Sequence, residues 1–169
     1  SGGSFGGSGN IAIGDSVGSG ITTGSNSVAI GRDALLGVYT GGDAIAIGRG
    51  ALAALTGGNN NVAVGGLALN ANTTADNNTA IGHNALLVNT TGTSNTAVGA
   101  LSMDANTTGQ NNTAIGKQSL GGNTEGNANV AVGISALLAN TTGGDNTAVG
   151  ALALTANTTG VDNVAVGHD

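Results

Sequence analysis

Apolar and polar positions in this chain alternate over short runs, then give way to turn-forming residues, and the cycle recurs with a fixed period of seventeen. The runs read "IAIG", "VAVG", "TAIG" or "TAVG", and β-branched residues on their alternate positions predict one short strand each. The closing glycines are Gly14, Gly31, Gly48, Gly65, Gly82, Gly99, Gly116, Gly133, Gly150 and Gly167, ten copies without an insertion or deletion. Between runs lie stretches such as "NTTG" and "TTGQNN", which predict turns because Gly takes positive φ freely and Asn tolerates it. A second short strand is expected around the "AL" pair that follows each glycine. Seventeen residues cannot hold two helices and a turn, and this density of Gly, Asn and Thr opposes helix. The expected fold is all-β, a β-solenoid of ten 17-residue coils forming one array over residues 1–169.

The occupant of each position assigns faces to the coil. Immediately before the glycine stand Ile13, Ile30, Ile47, Val64, Ile81, Val98, Ile115, Val132, Val149 and Val166, which are expected to face a core as the strand's inner side. Two residues earlier the position is Ile or Val in six copies and Thr in four (Thr79, Thr96, Thr113, Thr147), pointing the same way nearer the edge. Between them sit Ala12, Ala29, Ala46, Ala63, Ala80, Ala97, Ala114, Ala131, Ala148 and Ala165. Period-two geometry places these alanines on the opposite face. A face meeting only water has no need of ten small apolar residues, so the alanines are expected to form an interface with neighbouring chains. Four after the glycine comes Leu in seven of nine copies, with Met103 and Gly18 in the others, expected to be core. Seven after it, Asn72, Asn89, Asn106, Asn123, Asn140 and Asn157 occupy six consecutive copies. Their amides can form a ladder along a parallel stack, or each can simply turn the chain. The first three copies carry Ile21, Val38 and Leu55 instead, which marks residues 1–58 as a variant sub-region of the array. The opening "SGGSFGGSG" keeps register, with Phe5 at the position of Tyr39 and Gly7 at that of Gly24 and Gly41. The chain is therefore read as beginning and ending inside repeats, a processed product or a segment of something longer.

Composition narrows the possibilities. The chain has 33 Gly and only Phe5 and Tyr39 as aromatics, with no Pro, Cys or Trp. Three large aliphatic residues per coil do not offset the entropy of ordering the whole coil, so stability must come from stacked neighbours. Ten coils at about 4.8 Å each make a rod roughly 50 Å long. With 39% apolar and 7% charged residues the chain is not a solvated polyampholyte. A net charge of −6 with three basic residues argues against nucleic acid as a partner. No apolar run reaches the roughly 18 residues of a membrane span, so no membrane insertion is expected.

The motif "[SN]-[VT]-A-[IV]-G" followed by "AL", with "NSVAIG" at 26–31 and "NTAVGALALTANTTGVDN" at 146–163, resembles the head repeats of YadA-like trimeric autotransporter adhesins and the repeat arrays of bacteriophage tail fibres. The resemblance spans essentially the whole chain. It implies a left-handed parallel β-roll in a homotrimer, on an extracellular fibre, a cell surface or a virion tail, and contact with a host-cell or matrix surface receptor. The unit is longer than the one common in adhesin heads, and none of these 169 residues reads as a neck, stalk, anchor or chaperone domain.

Candidate chemistry is sparse. Arg32, Arg49, His83, Lys117, His168 and Asp15 share the position right after the glycine, an outward row that reads as a contact stripe or as a solvated edge that discourages aggregation. No Ser/His/Asp or Cys/His grouping can be assembled from neighbouring coils, so no catalytic residue, metal site or cofactor is expected and the protein is not read as an enzyme. Asp43, Asp145 and Asp162 share one turn position and look like turn formers. The "NTT" sequon, present five times, is read as turn sequence. The leading function is a structural and adhesive fibre segment. A self-assembling extracellular filament is the alternative, and an ice-binding solenoid is the second. For ice binding, Thr22, Thr56, Thr73, Thr90, Thr107, Thr124, Thr141 and Thr158 recur eight residues after the glycine, though the neighbouring Thr points to the other face.

Overall fold

The computed structural model describes residues 6–169. Ten three-residue strands run from β1 (Ile11–Ile13), β2 (Val28–Ile30), β3 (Ile45–Ile47), β4 (Val62–Val64) and β5 (Thr79–Ile81) through β6 (Thr96–Val98), β7 (Thr113–Ile115), β8 (Val130–Val132), β9 (Thr147–Val149) and β10 (Val164–Val166). They form one parallel sheet in chain order. Each residue pairs with its counterpart one period further on, as in Thr79 opposite Thr96, Ala80 opposite Ala97 and Ile81 opposite Val98. The period in the sequence is thus the circuit of a β-solenoid, with nine complete coils from 11–27 to 147–163 between the ten strands. Strand ladders close at both ends of each run, with Thr96 N donating to Asn112 O and Gly99 N to Ile81 O, both at 2.8 Å. Phe5 lies outside the described residues.

The face assignment expected for the strands is reversed. Ala29, Ala46, Ala63, Ala80, Ala97, Ala114, Ala131 and Ala148 are fully buried inside their own coils, and Ala12 and Ala165 in the end strands pack against the same core. They are not available as an interface between chains. The residues expected as strand core, Ile13, Ile30, Ile47, Val64, Ile81, Val98, Ile115, Val132, Val149 and Val166, point outward and are half-exposed or exposed. The physical reason is width. A regular circuit also encloses a Leu, a second Ala and two Asn, as the coil 79–95 does beside Ala80 with Ala85, Leu86, Asn89 and Asn95, all fully buried. Opposite such an interior the strand has room for a methyl group and no more.

The expected second strand around "AL" is also absent, and hydrogen-bonded turns stand in its place. In the fifth coil Ala85 N donates to Gly82 O at 3.3 Å and Asn89 N to Leu86 O at 3.3 Å. Two residues in this stretch, Asn84 and Leu86, have φ of 58° and 50°. A left-handed residue bends the chain where a strand would continue it, and costs a non-glycine residue roughly 1 to 2 kcal/mol. Burying the Leu side chain contributes roughly 1.5 to 3 kcal/mol in return. Leu35, Leu52, Leu69, Leu86, Met103, Leu120 and Leu137 all adopt this geometry and are fully buried, as the sequence pattern led us to expect of a core position.

The closing glycines meet two constraints together. Gly99 has φ of 137°, and a Cβ built on it would stand 2.5 Å from Gly116 O in the next coil. Neither the backbone conformation nor the coil spacing admits a side chain there.

The second coil departs from the pattern. Tyr39, not Val38, enters the core beside Ile21 and Leu55, while Val38 is 61% exposed. The backbone bridge there joins Ile21 to Tyr39, one position more than the period, whereas Thr40 N bonds Thr56 O in the same pattern as Gly57 N to Thr73 O in the next coil. Register is recovered by Ile45–Ile47.

Candidate interaction face and the amide ladders behind it

Every strand presents two residues outward, and in-register stacking turns them into two columns along the rod. One column holds the Ile and Val that precede the glycines, with Ile81 at 41% and Ile115 at 42% exposure in the middle of the rod. The other holds Ile11, Val28, Ile45, Val62, Thr79, Thr96, Thr113, Val130, Thr147 and Val164. Neither contains a charged residue. Single exposed apolar residues need no explanation, but a continuous uncharged band over ten strands is a surface suited to being covered.

Behind this face the coils are tied by buried amides. Of the six asparagines expected to form a ladder, Asn89 to Asn157 do so: from Asn106 on, each Nδ2 donates to the Oδ1 of the Asn one coil earlier, at 2.8 Å (Asn106 to Asn89), 2.9 Å (Asn123 to Asn106), 2.9 Å (Asn140 to Asn123) and 3.0 Å (Asn157 to Asn140). Asn72 is buried in line with them, but its Oδ1 has no partner. A second column, Asn61, Asn78, Asn95, Asn112, Asn129, Asn146 and Asn163, escaped the sequence reading. Each of these precedes a strand, and from Asn61 to Asn146 its Oδ1 accepts the backbone N–H of the corresponding residue in the next coil, as Asn95 Oδ1 does from Asn112 N at 3.0 Å. The two columns meet on one acceptor per coil. Gly92 O receives Asn78 and Asn89, Gly109 O receives Asn95 and Asn106, and Gly126 O receives Asn112 and Asn123. Two recurrences could have revealed this: Asn ahead of the strand in seven consecutive copies, and Gly ten positions after the closing glycine in nearly every coil.

The other candidates fall on the outside or in turns. Asp15, Arg32, Arg49, His83, Lys117 and His168 are all exposed. Arg32 Nε lies 3.6 Å from Asp33 Oδ2, a solvated pair of little energetic weight. Asp43, Asp145 and Asp162 are exposed with φ of 57° or 58°, the left-handed turn geometry that Asp tolerates. Among the described residues no three acidic or His side chains are grouped to hold a metal ion. The sequon residues Asn72, Asn89, Asn106 and Asn140 are fully buried, with their Nδ2 groups hydrogen-bonded inside the coil. The threonine row spends its hydroxyl hydrogens on the neighbouring coil: Thr56, Thr90, Thr107, Thr124 and Thr141 each donate Oγ1–H to the matching carbonyl of the next coil, at 3.0 to 3.1 Å.

Tyr39 is the one aromatic ring in the described core. Its hydroxyl is buried with no hydrogen-bond partner. Burial raises the phenol above the ordinary tyrosine range, with Asp43 and Asp76 adding to the shift. The nearby Ser27 hydroxyl opposes the rise more than either aspartate adds to it, while donating its own hydrogen to Ser25 O at 3.1 Å. Asp104, half-buried on the outer turn, is likewise raised by desolvation, against a backbone hydrogen bond that lowers it.

No family model matches the chain, and no curated protein or solved structure matches it.

Proposed function

We propose that the chain is a rigid segment of an extracellular or virion-borne fibre, structural and adhesive, that works as a homotrimer whose protomers pack through the outward strand columns. The observation that carries the reading is the unbroken uncharged band of Ile, Val and Thr along ten in-register strands, backed from Asn61 onward by buried amides that tie successive coils. A monomeric rod would leave that band in water. A face roughly 50 Å by 10 Å offers on the order of 500 Å² per protomer, about 1,000 Å² for a pair of partners, which is the low end of specific interfaces. The polar turns and the row of Arg32, Arg49, His83 and Lys117 then remain outside, available to a host-cell or matrix surface. The fibre function and the trimer follow the resemblance of the "NSVAIG" and "NTAVGALAL" motifs to adhesin heads and tail-fibre arrays. An ice-binding function draws no support from the threonine row, whose hydroxyl donors are engaged internally.

Light scattering coupled to size exclusion tests the reading. A solution mass three times the 15.8 kDa of one chain is expected. A monodisperse monomer overturns it, and growth without limit favours the self-assembling filament.

A further inference from the structure

Coil-to-coil bonding is uneven along the rod. Four buried side-chain bonds cross from the coil 79–95 to the coil 96–112: Asn95 Nδ2 to Gly109 O, Asn112 N and Nδ2 to Asn95 Oδ1, and Asn106 Nδ2 to Asn89 Oδ1, at 2.8 to 3.2 Å. Between the coils 28–44 and 45–61 no buried side-chain bond crosses among the described residues. The two that do cross, Thr40 Oγ1 to Thr56 O at 3.1 Å and Gly42 N to Asn59 Oδ1 at 2.9 Å, lie in solvent. Ala44 stands where the later coils carry the clamping Asn, so Asn61 has no Oδ1 behind it to bond. The position that carries ladder asparagines later is apolar here, with Tyr39 next to Leu55.

Tyr39 compounds the difference. Its ring is wedged between two glycine backbones: a Cβ on Gly24 would stand 2.5 Å from Tyr39 Cδ1, and one on Gly41 2.8 Å from Tyr39 Cε2. The ring fills the core with its stretch of backbone one position out of register with the preceding coil, and its hydroxyl is left unbonded. In a solenoid, stability is a sum over adjacent coils, so the contact with the fewest buried bonds opens first.

We infer that the rod carries a built-in joint between the coils 28–44 and 45–61, at which it yields before any interface in the amide-laddered remainder. The inference stands on coil-to-coil bonding and is independent of the fibre reading and of oligomeric state. Its consequence is mechanical. Under heat or tension the chain responds as two units, a short apolar-stacked one and a long amide-laddered one, rather than as a uniform rod.

Native-state hydrogen exchange on the full chain tests this, with an internal control for fraying. Gly48 N bonds Ile30 O across the second strand interface from one end, and Gly150 N bonds Val132 O across the second from the other, both at 2.8 Å. Gly48 and the bonded amides before it are expected to exchange about tenfold faster, or more, than Gly150. Equal protection, or faster exchange at Gly150, overturns the joint, because two complete coils lie outside the Gly48 contact and one outside the Gly150 contact, so end fraying alone would make Gly150 the faster. A graft of residues 104–112 in place of 36–44 restores the ladder asparagines at matching positions, and is expected to raise Gly48 to the protection of Gly150. A folded graft in which Gly48 still exchanges as in the parent also overturns the inference, and if the graft does not fold the parent comparison decides alone.

Discussion

Asn95 and Asn106 donate to the same carbonyl oxygen, that of Gly109, at 2.8 and 3.1 Å, although they belong to different columns and different coils. A backbone carbonyl has two lone pairs, and here both are taken by amides that have no access to water. Asn106 also bonds Asn89 on one side and Asn123 on the other. Replacing Asn106 by Ala therefore leaves a buried acceptor on Asn89 and a partly unsatisfied donor on Asn123. Each orphaned group costs roughly 1 to 3 kcal/mol, so a loss of about 2 to 5 kcal/mol is expected in urea unfolding. Thr108→Ala, two positions on and exposed, serves as the control and is expected to change little. Equal effects of the two would mean that the ladder carries no stability of its own.

A closing glycine and the glycine that follows one in another copy are expected to behave oppositely. Gly99→Ala places a Cβ 2.5 Å from the Gly116 carbonyl at a φ of 137°, a contact that neither backbone can relieve without parting the coils. Gly66→Ala meets nothing nearer than the flexible His83 ring at 3.4 Å. Circular dichroism melts should show Gly99→Ala unfolded or strongly destabilised and Gly66→Ala close to the parent. A folded, stable Gly99→Ala chain would refute the coil spacing described above.

Much of the fold was legible because it is a matter of counting. The repeat interval, the parallel in-register pairing and the core role of Leu35 through Leu137 follow from recurrence alone. What recurrence does not give is the inside of a coil. Alternation states that Ala97 and Val98 face opposite ways, but which of them faces in depends on how wide the circuit is, and width is set by turns that the Leu residues make with left-handed backbone. Hydrophobicity favours Val98 for the core, whereas geometry leaves room for Ala97 alone. The recurrence of Asn at the position of Asn95 was there to be counted, but the partner it shares with Asn106 is the carbonyl of Gly109 in the next coil, and counting does not say that the two columns meet there.

Two ionisable groups predict opposite ends of the pH range. Desolvation raises Asp104, so the unfolded chain releases this proton at lower pH than the folded one. Its contribution is fully present below the unfolded value near 3.9 and is lost as pH rises through the folded value. Asp104→Asn is therefore expected to stabilise the chain at neutral pH and to make little difference near pH 3. Tyr39 follows the same sign at alkaline pH, its contribution intact below about 10 and falling above that. With one Tyr and no Trp in the chain, phenolate absorbance reports it directly, and Tyr39→Phe should remove the alkaline slope while costing nothing at neutral pH. A Tyr39 that titrates at the ordinary value in the folded protein would contradict its burial.

The outward columns make the most direct prediction about assembly. Ile81 and Ile115 are 41% and 42% exposed in the single chain, and each is flanked along its column by apolar side chains only. A Glu at either position can keep its carboxylate in water in an isolated rod, so the coil should fold with a stability change within about 0.5 kcal/mol. In a trimer packed through these columns the same carboxylate is buried without a partner, beside its symmetry copies, and burying an unpaired charge is far more costly than any contact it replaces. Ile81→Glu combined with Ile115→Glu is therefore expected to convert a species of three chains into a folded monomer, read by light scattering for mass and by circular dichroism for fold. Val38→Glu, on an exposed turn away from both columns, should leave the mass unchanged. If the double variant keeps the parent mass, the columns are not where the chains meet, and the association must be sought on the polar turns instead.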